Sequence, residues 1–287
     1  MSAVFRHELR GYFHSLTAYV FGAFLLLVVG FGSMLYNLNA AVSNFEYVLS
    51  YSLLVFVVIV PVLTMRVLAE ERRQRTDQLL YSLPITTVQV ITGKYLALLV
   101  LYLIPLAIIS VYPLIFARFG EVYLPTSYGS IFAFFLLGAA LLAVGMFLSS
   151  LTENQGLAAG LGIAVILFNY YSVPLSEYVS STAVGSMLAL LAAVLALAAV
   201  IWVLTRSENL AFGTALVLIL GLIAVSFLDP TALEGLLPEV MTALSLFERF
   251  TPFVSGVFDL TSVVCYLTVI GVFLFLSAQS MEKRRYN

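Results

Sequence analysis

Long apolar runs dominate this sequence and restrict what the chain can fold into. Hydrophobic residues make up 62% of the 287 positions and charged residues only 10%, whereas soluble domains usually carry about 25% charged residues. Apolar stretches of about 20 residues, the length that an α-helix needs to cross a bilayer, recur along the chain. The alternating pattern of barrel strands is not seen, so the spans are predicted to be α-helices.

The apolar runs predict about eight membrane-spanning helices in a single all-α transmembrane domain. The predicted spans are Leu16–Tyr36, Tyr47–Leu68, Tyr95–Ala117, Tyr128–Ser150, Gly156–Val173, Ala183–Leu204, Leu210–Leu228 and Leu260–Ala278. The predicted order of segments is an N-terminal stretch (1–15), spans one and two (16–68), a cytosolic hairpin (69–94), spans three to seven (95–228), an extracytoplasmic loop (229–259), and the last span with a basic cytosolic tail (260–287).

The distribution of basic residues predicts the orientation of the chain. An even number of spans places both termini on one side of the membrane. If that side is the cytosol, 11 of the 13 Lys and Arg residues lie inside and only Arg118 and Arg249 lie outside. This bias follows the positive-inside rule, so we expect both termini and the hairpin between spans two and three to be cytosolic.

The hairpin between spans two and three carries the densest run of charge. Its charged residues lie within eight positions and are Glu70, Glu71, Arg72, Arg73, Arg75 and Asp77. Leucines follow at positions 79, 80 and 83, which predicts a short helix with a charged and an apolar face, ended by Pro84. Thr86 and Gln89 fit a capping box that starts a second helix. The hairpin is therefore predicted as two helices on the membrane surface.

Two interpretations of this hairpin stay open. It is either a solvated loop with a basic collar at the membrane surface, or a docking element for a soluble partner. The second is favoured because the hairpin is longer than most connections on its side and is built from helices rather than from a flexible linker.

The first residues, Ser2 to His14, are predicted to form an interfacial amphipathic helix, with a frayed tail as the alternative. Apolar and aromatic side chains recur at helical spacing, and they are Phe5, Leu9, Tyr12 and Phe13. The polar and charged residues that lie off this stripe are Arg6, His7, Glu8 and Arg10. Such a helix lies in the plane of the membrane interface with its apolar face in the lipid.

The extracytoplasmic loop, residues 229–259, is predicted to contain a helix or two. Its apolar side chains recur at helical spacing and are Leu236, Val240, Leu244 and Phe247. Two roles fit this loop equally well: a gate over the outer mouth, or a packing cap.

The spans carry little chemistry. No charge falls near the centre of a predicted span, which disfavours an ion-coupled carrier. Asn169 is the clearest polar side chain deep in a span, and an interhelical hydrogen bond accounts for it. The lone Cys265 and the separated His7 and His14 predict no metal site. No GxxxxGK[ST] motif occurs, so any ATP must bind to another subunit, and a net charge of −2 gives no reason to expect nucleic acid.

Three segments carry a resemblance to a known family. The sequence EERRQRTDQLLYSLPITTVQVITGKYLA resembles the cytosolic hairpin of ABC-2-type transporter permeases, with its acidic pair, Arg, Thr, Leu pair, Leu-Pro and a Gly-Lys entering the third span. The opening VFRHELRGYFHSLTAYVF is similar to the N-terminal interfacial helix of that family. The ending SLFERFTPFVSGVFDL and the span after it resemble the branch of gliding-motility-associated permeases.

The resemblance implies a permease subunit in the inner membrane of a bacterium, working as half of an exporter. Two such chains, identical or related, would pair with two cytosolic ATPase subunits, which hold ATP and Mg, while this chain holds no cofactor. Many six-span members have a re-entrant outer hairpin before the last span. This chain has two further predicted spans instead, so no gate residues are carried over.

The resemblance also implies roles for the hairpin, which would be the coupling helix seated in a cleft of the ATPase. The residues implied to make polar contacts there are Glu70, Glu71, Arg72, Arg73, Arg75 and Thr76. The residues implied to pack or turn the hairpin are Leu79, Leu80, Leu83 and Pro84. The N-terminal helix would lie beside the hairpin through Phe5, Arg6, Leu9 and Arg10.

Two other functions stay open at this point. One is an ion-coupled secondary carrier that works without an ATPase. The other is a membrane anchor that does not transport and passes ATPase motion to an extracytoplasmic accessory protein, which the long outer loop permits. The substrate cannot be read from the sequence.

Overall fold

The chain forms helices joined by short connections. The computed structural model describes residues 2–74, 86–178, 185–187, 190–192, 194–195, 198, 202, 208–228 and 235–285, and no strand occurs among them. The predicted all-α class is confirmed. The chain divides into two compact units, residues 1–168 with 249–287 and residues 169–248.

The helices follow one another closely along the chain. They are α1 (Ser2–His14), α2 (Leu16–Ser33, continued by a π-helix Met34–Asn39), α3 (Phe45–Ser52), α4 (Val55–Thr64), α5 (Ala69–Gln74), α6 (Thr87–Ile109), α7 (Tyr112–Phe116), α8 (Leu124–Leu151), α9 (Gln155–Tyr178), α10 (Glu208–Leu228), α11 (Leu236–Leu244), α12 (Thr251–Val254, preceded by a 3₁₀ turn Glu248–Phe250) and α13 (Leu260–Arg285).

The described helices include five that are long and apolar enough to cross a membrane, and a bent pair gives up to six. The five are Leu16–Asn39, Thr87–Phe116, Leu124–Leu151, Gln155–Tyr178 and Leu260–Lys283, and they match predicted spans one, three, four, five and eight. The second predicted span corresponds to the bent pair, Phe45–Ser52 and Val55–Gln74, which meet at 57°. The chain is therefore a multi-pass membrane protein.

The other two predicted spans are not settled by the described residues. Predicted span six, Ala183–Leu204, falls largely outside them. Predicted span seven, Leu210–Leu228, lies within the helix α10, whose fully described part covers only Phe212–Leu222. The total of eight spans stays a prediction.

Helix α8 is the central helix of the first unit. In its most apolar stretch 83% of the residues are buried, against 17–39% in the other four long helices. It packs most extensively against α13 and also contacts α3, α4 and α6. Two glycines allow this close approach, since a methyl group at Gly138 or Gly145 would collide with Tyr102 of α6 or Thr64 of α4. The Tyr102 hydroxyl donates to the Phe134 carbonyl at 2.8 Å and ties α6 to α8.

The predicted capping box is confirmed, but the second hairpin helix is not a separate surface helix. Thr86 Oγ1 accepts from the Gln89 amide, and Gln89 Oε1 accepts from the Thr86 amide. The helix that starts at Thr87 runs without a break to Ile109, so the predicted second helix is the first turns of the third span. Gly93 does not interrupt it, because Gly93 and Lys94 are buried against the bundle.

The second unit contains the end of α9, α10, α11 and the residues that follow α11. Helix α11, Leu236–Leu244, confirms that the outer loop contains a helix, which ends before Phe247. The expected interhelical hydrogen bond of Asn169 is confirmed. Its amide group donates to the Leu244 carbonyl at 2.9 Å, and its Oδ1 accepts from the Leu246 amide at 3.0 Å. Asn169 therefore satisfies the backbone where α11 ends.

The contact between α6 and α8 can be tested with two glycines on the same helix. Gly138→Ala should lower the free energy of unfolding by about 1–3 kcal/mol, because the new methyl lies 2.6 Å from the Tyr102 ring. Gly129→Ala is the control, since no atom lies within 4 Å of its added methyl. Thermal unfolding in detergent measures both, and equal melting temperatures for the two variants would contradict this packing.

Candidate functional site

A groove at one end of the first unit brings together the N-terminal helix and the start of the charged hairpin. Its volume is about 740 Å³. One side is formed by α1 and the other by α5 and the turn before it, with Lys94 of α6 also in the lining. Helix α1 packs along α6. The groove thus joins two elements that the sequence analysis identified, the N-terminal helix and the charged hairpin, to the start of the third span.

Lys94 is the central residue of this groove. Its side chain is buried, and its Nζ donates to Glu8 Oε1 of α1 at 2.6 Å and to Glu71 Oε1 of α5 at 2.6 Å. A third contact, at 3.3 Å, is to the Val67 carbonyl in the turn between α4 and α5. A lysine ammonium has three N–H donors. The three acceptors, which lie on different elements, use all of them.

The charges explain why Lys94 holds this position. A buried ammonium is costly unless charged acceptors surround it. Here two carboxylates share one cation, and their side chains remain 18% exposed at Glu8 and 22% exposed at Glu71. Water can therefore reach part of each carboxylate, while the ammonium is shielded. Removal of Lys94 would leave two carboxylates without a cation, whereas removal of either carboxylate would leave the ammonium with one charged acceptor instead of two.

Tyr12 lies one helical turn after Glu8 and lines the same groove. Burial raises the pKa of its hydroxyl, and the nearby carboxylates of Glu8, Glu71 and Glu70 raise it further. The hydroxyl therefore stays protonated at cytosolic pH. The predicted helix Ser2–His14 is confirmed, but one face of it, with Glu8 and Tyr12, points into the protein.

The predicted site residues divide between the inside and the outside of the protein. Glu71 bonds to Lys94, and Arg72 is buried, with its Nη2 donating to Ser280 Oγ of α13 at 3.4 Å. Arg73 is exposed. Glu70 lies 4.0 Å from Arg66, with both side chains well exposed.

The N-terminal residues named by the resemblance also include both half-buried and exposed side chains. Phe5 and Leu9 are half-buried, while Arg6 and Arg10 face outward. The remaining hairpin residues lie outside the described residues, and they are Arg75, Thr76, Leu79, Leu80, Leu83 and Pro84.

Sequence reasoning missed the two residues that complete the site, Glu8 and Lys94. Lys94 was read only as the entry to the third span, and Glu8 only as a charge off the apolar stripe. The signal was present in part, because a lysine followed by YLALLVLYLIPLAII needs a counter-ion at the membrane boundary.

The groove offers charge pairing and hydrogen bonds rather than metal chemistry. Among the residues that the structure describes, no group of three or more His, Cys, Asp or Glu side chains could hold a metal ion. The arrangement links the third span to α1 and α5 through one buried cation, so that displacement of either helix acts on the span.

The family of the chain follows from its sequence. Residues 33–176, half of the chain, match the family described as ABC-2 family transporter protein. The chain belongs to the ABC-2 transporter family. No curated protein matches it.

Membership makes this chain the membrane permease component of an ABC transporter. Permeases of this family associate with ABC ATPase subunits and with a second permease chain. The matched region contains the charged hairpin with Glu71 and Lys94, whereas Glu8 lies before it.

The Lys94–Glu71 pair should be energetically coupled far more strongly than an exposed pair in the same groove. Lys94→Met and Glu71→Gln, made singly and together, should show a coupling of about 0.5–3 kcal/mol in the free energy of unfolding. Lys94→Met alone leaves the carboxylates of Glu8 and Glu71 without their cation, and Glu71→Gln in the same chain relieves part of that cost. Denaturant titration in detergent measures this energy.

The control cycle uses Arg66→Met and Glu70→Gln, whose side chains are 47% and 39% exposed. Its coupling should stay below about 1 kcal/mol because solvent screens the pair. Coupling at Lys94–Glu71 that is no larger than in the control would contradict the assigned role of Lys94.

Proposed function

We propose that this permease couples ATP hydrolysis by a separate cytosolic ATPase to movement of its spans, and that it works as an exporter. The observation that supports this most is the buried bridge from Lys94 to Glu8 and Glu71. It attaches one span directly to both cytosolic helices that an ATPase could reach.

The path of the motion follows from the contacts. An ATPase that binds the exposed side of α5, at Glu70 and Arg73, and the hairpin beyond it would displace Glu71 with that helix. Because Glu71 is bonded to Lys94, the displacement passes to α6, which packs against the central helix α8. Displacement of α1 reaches the same point through Glu8.

The partners follow from this role. ATP and Mg bind to the ATPase subunits, since this sequence has no phosphate-binding loop. A second permease chain, identical or related, completes the translocation path. The bias of 11 inner against 2 outer basic residues supports cytosolic termini in a bacterial inner membrane. The gliding-motility-like C-terminal segment makes an extracytoplasmic accessory protein a further proposed partner.

Purification of the tagged chain from its own host in mild detergent tests the proposal. We expect a protein with a phosphate-binding loop to be recovered in a stoichiometric amount, as found by mass spectrometry. Arg73→Glu should lower its recovery by about tenfold or more, because reversing a charge within an interface loses a contact and adds repulsion.

Arg118→Glu is the matched control, since Arg118 is also exposed but is assigned to the opposite side of the membrane. Its recovery of the ATPase should equal that of the unchanged chain. If no ATPase accompanies the unchanged chain, the proposal is wrong, and an ion-coupled carrier becomes the better account. If Arg118→Glu lowers recovery as much as Arg73→Glu, the hairpin is not the docking element.

A further inference from the structure

Between α4 and α5, one backbone hydrogen bond of the helix is replaced by hydrogen bonds to a side chain from another helix. Residues 65–68 form turns between α4 and α5, although the helix axis continues from Val55 to Gln74. In an α-helix the Ala69 amide would donate to the Met65 carbonyl. Here the Ala69 amide donates instead to Ser149 Oγ at 3.1 Å, and Ser149 Oγ donates to the Met65 carbonyl at 3.2 Å.

The Ser149 hydroxyl is fully used by this arrangement. It also accepts from the Leu68 amide at 3.2 Å, so its one donor and both lone pairs are engaged. Ser149 is fully buried and belongs to the central helix α8. A side chain inserted into the backbone hydrogen bonds of a helix is one of the few established causes of a local bend or hinge.

A second contact attaches α5 to the same end of α8. Arg72 donates to Ser280 Oγ of α13, and Ser280 Oγ donates to the Ser150 carbonyl of α8 at 3.1 Å. One turn before Ser149, Gly145 of α8 packs directly on Thr64 at the end of α4. These contacts place the joint between α4 and α5 against the end of α8 near Ser149.

We propose that the Ser149 hydroxyl is the positioning group of a hinge at residues 65–69, through which movement of α5 reaches the central helix α8. This inference rests on the proposed coupling function and adds a second route to the one through Lys94. The first route leads from α5 to α6, and this one leads from α5 directly to α8.

Two arrangements of the same hydrogen bonds are available at this hinge. In the arrangement seen here, the Ala69 amide and the Met65 carbonyl both bond to Ser149. In the other, they bond to each other and close the helix, as regular helical geometry allows. Because the backbone groups of Met65 and Ala69 have hydrogen-bond partners in both, an exchange between the two arrangements leaves neither backbone group unpaired. An element with two such packings can respond to a force on α5.

Ser149→Ala tests the hinge, with Ser150→Ala as a matched control. Ser150 is the next residue, is equally buried, and its hydroxyl has no hydrogen-bond partner in the described part of the chain. Both variants remove one buried hydroxyl from the end of α8, but only the first removes the hydroxyl that lies between the Ala69 amide and the Met65 carbonyl. Both are expected to fold and to retain the ATPase.

The experiment uses the purified permease–ATPase complex with the native thiol removed by Cys265→Ala. Spin labels at Gln74 and Glu282 report on α5, and a second pair at Phe119 and Val257 reports on the exposed loops at the opposite end of the first unit. Pulsed electron resonance gives each distance before and after the ATPase is trapped with ADP and vanadate. In the unchanged protein and in Ser150→Ala, both distances should shift.

In Ser149→Ala the shift at Gln74 and Glu282 should remain, while the shift at Phe119 and Val257 should fall by about twofold or more. An undiminished outer shift would overturn the hinge. An equal loss in Ser150→Ala would also overturn it, because packing rather than the hydroxyl would then carry the effect. Absence of the inner shift in the unchanged protein would instead overturn the proposed coupling function, and the hinge with it.

Discussion

One buried ammonium group joins the N-terminal helix, the charged helix and the third span of this permease. The Lys94 side chain has three donors, and its acceptors lie on α1, on α5 and in the turn before α5. A cation shielded from water stabilises its surroundings only while its charged partners stay in place. The positions of the N-terminal helix and of the charged helix are therefore tied to the third span, and neither can shift without moving or breaking this bridge.

The central helix α8 is connected to this bridge because α6, which carries Lys94, packs against it. It is the most buried long helix of the described chain, and small residues on it allow close contact with α4 and α6. The end of α8 near Ser149 reaches the charged helix through Ser149 and, by way of Ser280, through Ser150. Helix α5 is thus attached to the third span by an ion pair and to the central helix by hydrogen bonds through serine hydroxyls. We infer that the ion pair transmits position and that the weaker bonds allow the joint to change.

Local features of this structure could be predicted from the sequence, whereas the site itself could not. The apolar runs predicted the matched spans, although the third begins at Thr87 rather than at Tyr95. The Thr86–Gln89 capping box formed as expected because it depends on neighbours along the chain. Lys94 signalled a need for a counter-ion, but its partners lie 23 and 86 residues away, and only tertiary packing selects Glu8 and Glu71 among the carboxylates. Ser149 gave no signal, since a serine near the end of a span resembles ordinary small-residue packing. Asn169 was expected to form an interhelical hydrogen bond, and it does so, but the sequence did not identify its partner, the backbone at the end of α11.

The most direct measurement of the central claim is a pair of structures of the permease–ATPase complex by cryo-electron microscopy, one without nucleotide and one trapped with ADP and vanadate. The quantity to compare is the distance from Lys94 Nζ to the nearest carboxylate oxygen of Glu8 and of Glu71. The account predicts that both distances stay within about 3.2 Å in the two states, while α1, α5 and the start of α6 move together. A displaced α5 with either distance opened beyond about 4 Å would contradict it, because the bridge could not then carry the motion.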